Sequence, residues 1–148
     1  MGTHNFNTQK DVLAAGDLRR KRSRRLVEMI QEGSQHLPEP EKNLLVAIFE
    51  HGDPISKVAR EAAADPRKLG RQVRRITQRV LDPRFRFVAD HQSKWRPTRR
   101  KVACACVIEG LSIREAAEKL SLSAYTVRKH KEVIDALCEE LPTIGRPS

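Results

Sequence analysis

Aromatic side chains are scarce here, with one Trp, one Tyr and four Phe in 148 residues. The stacking platforms that single-stranded RNA readers favour are therefore few. Cysteine is scarce as well: Cys104, Cys106 and Cys138 form no C-x-x-C pair, and the five histidines (4, 36, 51, 91 and 130) are scattered. Neither pattern supplies the closely spaced ligands of a zinc site, so the thiols read as small buried hydrophobes in a reducing cytoplasm. No apolar run approaches the roughly 20 residues of a membrane span. The opening MGTHNFNTQKDVLAAG lacks a signal-type apolar stretch, and Phe6 stands where myristoylation of Gly2 would want Ser or Thr. Also missing are G-x-x-x-x-G-K-[ST], H-E-x-x-H, a paired-carboxylate site and any Ser or Cys with an identifiable His partner. These absences argue against an enzyme and give no reason to expect a cofactor.

What the chain does carry is positive charge. Lys plus Arg number 29 against 19 Asp plus Glu, for a net charge of +10 and a pI near 10.1. Residues 37–56 carry −3 and residues 102–148 carry −1, whereas residues 57–101 carry +11 and residues 1–36 carry +3. Charge concentrated in the middle third is not a uniform solubilising coat. With 39% hydrophobic residues the chain can still bury a core, as one domain or two very small ones. The expectation is a basic cytoplasmic protein with no membrane role, and nucleic acid is the first partner to test.

An internal repeat organises the rest. LLVAIFEHGDPISKVARE from Leu44 lies over VACACVIEGLSIREAAEK from Val102 at an offset of 58 residues. Gly52 falls on Gly110, Ile55 on Ile113, Ala59 on Ala117, Leu69 on Val127 and Ile76 on Ile134. The three cysteines fall on Val46, Ile48 and Val80, which supports their apolar reading.

Each repeat reads as three helices, so the predicted fold is all-α, with two trihelical units behind a basic N-terminal helix. In the second unit a helix from Pro97-Thr98 stops at Gly110, and Ser112 with Glu115 forms a capping box for a short helix to Leu120. Ser121-Leu122-Ser123 then turns into a long helix ending near Glu140, closed by Pro142. In the first unit Pro38 and Pro40 open a helix that Gly52 ends. Asp53-Pro54 and Asp65-Pro66 serve as cap-plus-proline starts for the next two, and Asp82-Pro83 ends the last. The boundaries are an arm at 1–36 with a helix over 17–32 (apolar side Leu26, Val27, Met29 and Ile30), units at 37–83 and 97–142, a linker at 84–96 with a short strand over 84–88, and a loose tail at 143–148. The linker pairs aromatics with arginines, for stacking on bases or for anchoring against the units, and anchoring is the favoured expectation.

A short helix, a three-residue turn and a longer helix describe a helix-turn-helix. Ala59 and Ala117 supply the small residue at the crossing, and Ile113, Leu120, Leu122, Val127 and Ile134 the interior. GLSIREAAEKLSLSAYTVRKHKEVIDAL resembles the helix-turn-helix of region four of sigma-70-type factors and that of LuxR-type regulators, with LSxxTVRKH the most specific part. LPEPEKNLLVAIFEHG resembles the start of a sigma region four. The resemblance implies double-stranded DNA binding in transcription regulation, near a promoter element, with contacts to RNA polymerase. Nothing resembles the sigma segment that melts promoters, so a complete initiation factor is not expected. The first unit departs from the pattern with AAADPRKLG, and Gly70 lies inside its third helix.

DNA-contacting candidates follow from position. In the second unit they are Ser123, Tyr125, Thr126, Arg128, Lys129 and Lys131, with Arg128 and Lys129 foremost for base edges. In the first they are Arg67, Lys68, Arg71, Arg74 and Arg75, on a helix that also carries Arg79 and no acid. His130 could meet a phosphate or lie on an ordinary helix surface, and Arg19 to Arg25 could be a DNA-contacting arm, a helix face or unstructured. The competing readings are an interaction protein that binds RNA polymerase or another factor without reading DNA, the DNA-binding subunit of a transposase or recombinase, and an RNA binder.

Overall fold

Eight helices and no strand make up residues 23–140, the part of the chain that a computed structural model describes. Residues 23–34 are helical (α1). Then follow α2, Glu39–Leu45 continuing as a π turn over Val46–Glu50; α3, Ile55–Glu61; α4, Pro66–Leu81; and α5, Pro83–His91, with a 3₁₀ turn over Gln92–Lys94. The second unit comprises α6, Pro97–Ala103 continuing as a π turn over Cys104–Ile108; α7, Ile113–Leu120; and α8, Ala124–Glu139. The expected Pro142 stop, the tail and residues 17–22 of the N-terminal helix lie outside the described residues.

The 58-residue offset holds at the level of backbone geometry. Gly52 and Gly110 are both left-handed, at φ +69° and +72°. The two π turns occupy the same register, and each closes with a bond spanning six residues, Asp53 N–H to Ala47 and Leu111 N–H to Ala105, both 2.9 Å. That is one residue wider than the usual Schellman closure, as a π turn requires. The turns before α4 and α8 also match. Ala63 (φ +52°) and Ser121 (φ +55°) are the left-handed residues, closed by Ala64 N–H to Ala59 at 2.8 Å and Leu122 N–H to Ala117 at 3.0 Å. A Cβ in that conformation is strained. Ala63→Gly is therefore expected to raise unfolding stability by about 0.5–1 kcal/mol, after the entropy glycine adds to the unfolded chain. A fall in the urea midpoint would contradict this.

Side-chain caps set most helix starts. Asp65 accepts from the Arg67 N–H at 3.0 Å, and Ser123 from the Thr126 N–H at 3.1 Å. Ser112 and Glu115 form the expected capping box, at 3.1 and 3.3 Å. Asp53 is a correction: Pro54 occupies the cap position of α3 without a side-chain bond, and the Asp53 carboxylate instead accepts from Lys57 Nζ at 3.3 Å. Pro54 is the 58-residue equivalent of Ser112, so the proline has taken the cap's place and its hydroxyl is lost.

The strand expected over 84–88 is also corrected. Residues 83–91 form α5, because Asp82 accepts from the Arg84 N–H at 2.9 Å and Pro83 suits the first turn. Within α5, Phe85, Phe87 and Val88 are buried. The helix packs against α4, the π turn of α6 and α8, so the segment between the units is a shared part of their core. Leu44/Val102, Leu45/Ala103, Leu69/Val127, Ile76/Ile134 and Val80/Cys138 are buried at equivalent positions of the two units. Ala59 is fully buried as expected, whereas in the second unit Ala116 takes that place and Ala117 is half-buried.

Helix α1 leans on this core through Ile30, with Val27 and Met29 half-buried and Leu26 exposed. Gln31 Nε2 donates to the Phe49 carbonyl of the π turn at 3.0 Å. Gly33 lies so close to Val80 that a Cβ there would collide with its methyl.

Arg84 bridges onward, to Asp82 at 3.0 Å and to Asp135 of α8 at 3.4 Å. Partial burial alone would raise the Asp82 carboxyl, but the hydrogen bonds and charge of Arg84 outweigh it and hold the group below its ordinary value. A depressed carboxylate contributes stability that is full above its unfolded pKa and is lost as pH falls through the folded value. Asp82→Asn is accordingly expected to flatten the acid limb of a stability–pH curve below about pH 4. An unchanged limb would contradict it.

Candidate nucleic-acid interface

Helix α4 divides cleanly. Leu69, Val73, Ile76 and Val80 recur at helical spacing and are buried. Arg67, Lys68, Arg71, Arg74 and Arg75 are all exposed, and none makes an ion pair among the described residues. Five cations therefore share the solvent side of one helix, with no described carboxylate to neutralise them.

Arg79, counted with that charge in the sequence, is engaged elsewhere. It is half-buried, pairs with Glu41 of α2 at 2.5 Å, and lies against the Gly110 turn of the second unit. Its charge is neutralised by Glu41 and is not part of the free face.

Helix α8 buries Val127, Ile134 and Cys138 and exposes Tyr125, Arg128 and Lys129. Tyr125 keeps 69% of its surface, the larger of the two large-hydrophobic exposures among the described residues, the other being Leu26. Ser123 and Thr126 are occupied with each other. The Ser123 hydroxyl accepts the Thr126 N–H and stands 2.8 Å from its hydroxyl, so both shape the helix start. Lys131 and His130 are half-buried. Of the six second-unit candidates, Ser123, Tyr125, Arg128 and Lys129 are exposed, and the last three have side chains not engaged in the cap.

Arg128 also borders a cleft of about 380 Å³ in the angle between α7 and α8, floored by Ile113, Ala117, Leu122 and Ala124. At the equivalent position α4 has Gly70, where a Cβ would meet nothing within 4 Å. The two long helices thus offer different surfaces. One presents many cations and a glycine in its second turn, the other a few long side chains around a shaped notch.

The thiols match the burial of their equivalents, Val80 being buried and Val46 and Ile48 half-buried. Cys138 is buried, whereas Cys104 and Cys106 are half-buried on the π turn of α6, Cys104 donating to Gln92 Oε1 at 2.7 Å. Burial pushes both of these thiols above the ordinary cysteine range. Among the described residues no group of His, Cys, Asp and Glu is placed to hold a metal ion, and no helix is long and apolar enough to cross a membrane.

Further cations stand at the start of α6, outside the candidates that the two long helices supply. Arg96, Arg100 and Lys101 are exposed, and the spacing RPTRRK was the available signal. Comparisons with models of known protein families, with curated proteins and with solved structures each return no match.

Proposed function

We propose that the protein binds duplex DNA and regulates transcription, using α8 to choose sequence and α4 to supply affinity. The observation that carries this reading is the solvent face of α4, with Arg67, Lys68, Arg71, Arg74 and Arg75 exposed and unpaired among the described residues. A cationic helix face of this kind matches the phosphate backbone, whose contacts dominate affinity and carry no sequence information. Helix α8 complements it. It follows a short helix and a capped turn, and its first turns expose Tyr125, Arg128 and Lys129, the placement from which a recognition helix reads the major groove. The sigma region four and LuxR-type resemblance of residues 110–137 points the same way and makes RNA polymerase a second partner within the cytoplasm.

Selection of bound sequences from a random duplex pool at stated salt tests the reading. A recovered motif is the expected result. Binding without any motif would favour the alternative, a protein that uses these helices to dock on RNA polymerase or another factor.

A further inference from the structure

The two units differ in charge at their first helices. In α2, Glu41 pairs with Arg79 of α4 at 2.5 Å. The 58-residue offset places Arg99 at the Glu41 position and Leu137 at the Arg79 position. The ion pair of the first unit therefore has no counterpart in the second, and α6 keeps a half-buried guanidinium in its stead. Arg99 Nε is buried with no hydrogen-bond partner, and no ion pair reaches the side chain among the described residues. Arg79 Nε is also unbonded, but Glu41 balances that charge. An unbalanced, partly desolvated guanidinium is a group that an anion would satisfy.

Its neighbours strengthen the case. Arg96 is the cap residue just before α6 and Arg100 follows Arg99 directly, so the three arginines gather at the start of that helix. Lys101 flanks them. Arg96, Arg100 and Lys101 are exposed and unpaired among the described residues. At the equivalent positions the first unit has Pro38, Lys42 and Asn43, with Glu39 and Glu41 among them.

We propose that the start of α6 (Arg96, Arg99, Arg100 and Lys101) is a further phosphate-contacting surface for duplex DNA, separate from α4 and α8. The inference rests on the DNA-binding reading above. Guanidinium groups take phosphate oxygens in bidentate fashion, and contacts of this kind fix register on the duplex. An acidic protein is the lesser match, because protein interfaces centre on buried apolar or aromatic anchors. The large exposed hydrophobics among the described residues are Leu26 and Tyr125, and neither is on α6.

The test compares Arg99→Gln/Arg100→Gln/Lys101→Gln with the unmodified protein and with Arg71→Ala/Arg74→Ala. Each is titrated with a labelled selected duplex and a scrambled one between about 50 and 200 mM salt. The triple variant should bind both duplexes more weakly by the same factor and keep the preferred sequence. Its salt slope should fall by about 2.7, at about 0.9 per phosphate contact, so that affinity drops roughly 40-fold less across that salt range. Thermal stability should be unchanged or raised, whereas a structural role for Arg99 would lower it. Arg96→Gln/Arg100→Gln, which touches only exposed positions, should take about two from the slope by the same arithmetic. If the α6 variants bind both duplexes as the unmodified protein does while Arg71→Ala/Arg74→Ala weakens binding, the inference is overturned and the proposed function stands. If those variants keep duplex binding but no longer bind polyglutamate, the surface serves an acidic protein and the inference again fails. If the unmodified protein binds no duplex, both readings fall together.

Discussion

Arg71→Ala combined with Arg74→Ala is expected to weaken binding to every duplex alike and to take about one unit from the salt slope for each phosphate no longer engaged. Both side chains are exposed on α4 and unpaired among the described residues, so their removal costs the fold little. Phosphate binding releases counterions, which makes it salt-sensitive and blind to sequence. Arg128→Ala or Lys129→Ala should behave in the opposite way. Each well-formed hydrogen-bonded base pairing supplies about 1–3 kcal/mol of discrimination, so removing one should relax preference at one or two base pairs with a smaller change in slope. Binding to preferred and scrambled duplexes over a salt series measures both. The assignment would be reversed if the α4 changes altered the preferred sequence and the α8 changes left it intact.

Phe85→Ala is expected to be the most damaging single truncation, at about 3–5 kcal/mol. Phe85 keeps 1% of its surface, on the helix that packs against α4, the α6 π turn and α8. Domains of this size are typically stable by about 5–15 kcal/mol, so the change takes a large share of the total. Because α5 belongs to both halves of the core, the two units should unfold in one transition. Urea denaturation followed by far-ultraviolet circular dichroism and by Trp95 fluorescence checks this. Separate transitions in the two signals would show that the units fold independently.

The second unit was legible in the sequence because its boundaries rest on side-chain chemistry that spacing alone exposes. Ser112 with Glu115, Ser123 before a helical apolar pattern, and Gly110 at a helix end each have one obvious structural reading. Helix α5 was not, because Phe85 and Phe87 alternate as a strand would. The deciding facts were the Asp82 cap and the burial of Phe85 and Val88, which only the packed core displays. The π turns were invisible for a related reason: they depend on which carbonyl each amide reaches, and no residue type marks that choice. Within the candidate site, the exposed face of α4 followed from helical spacing, whereas on α8 position in the first turns gave six candidates and did not separate the exposed from the half-buried. The withdrawal of Arg79 did not follow from spacing, since Glu41 lies 38 positions away in sequence. Arg99 was hidden by the same distance effect, because its lack of a partner among the described residues is a property of the whole surface around it.

Gly52 and Gly110 occupy equivalent places in the two units and share a left-handed backbone, yet they are under unequal constraint. At Gly52 a Cβ would find nothing within 4 Å, so only the backbone conformation restricts it, and asparagine can adopt that conformation at modest cost. At Gly110 a Cβ would stand 2.8 Å from both Cδ and Nη1 of Arg79, so a side chain there also requires the Arg79 side chain to shift. In a library of substitutions, Asn should be accepted more readily at position 52 than at position 110. The same bend is limited by backbone conformation alone in one unit and by a neighbouring side chain as well in the other.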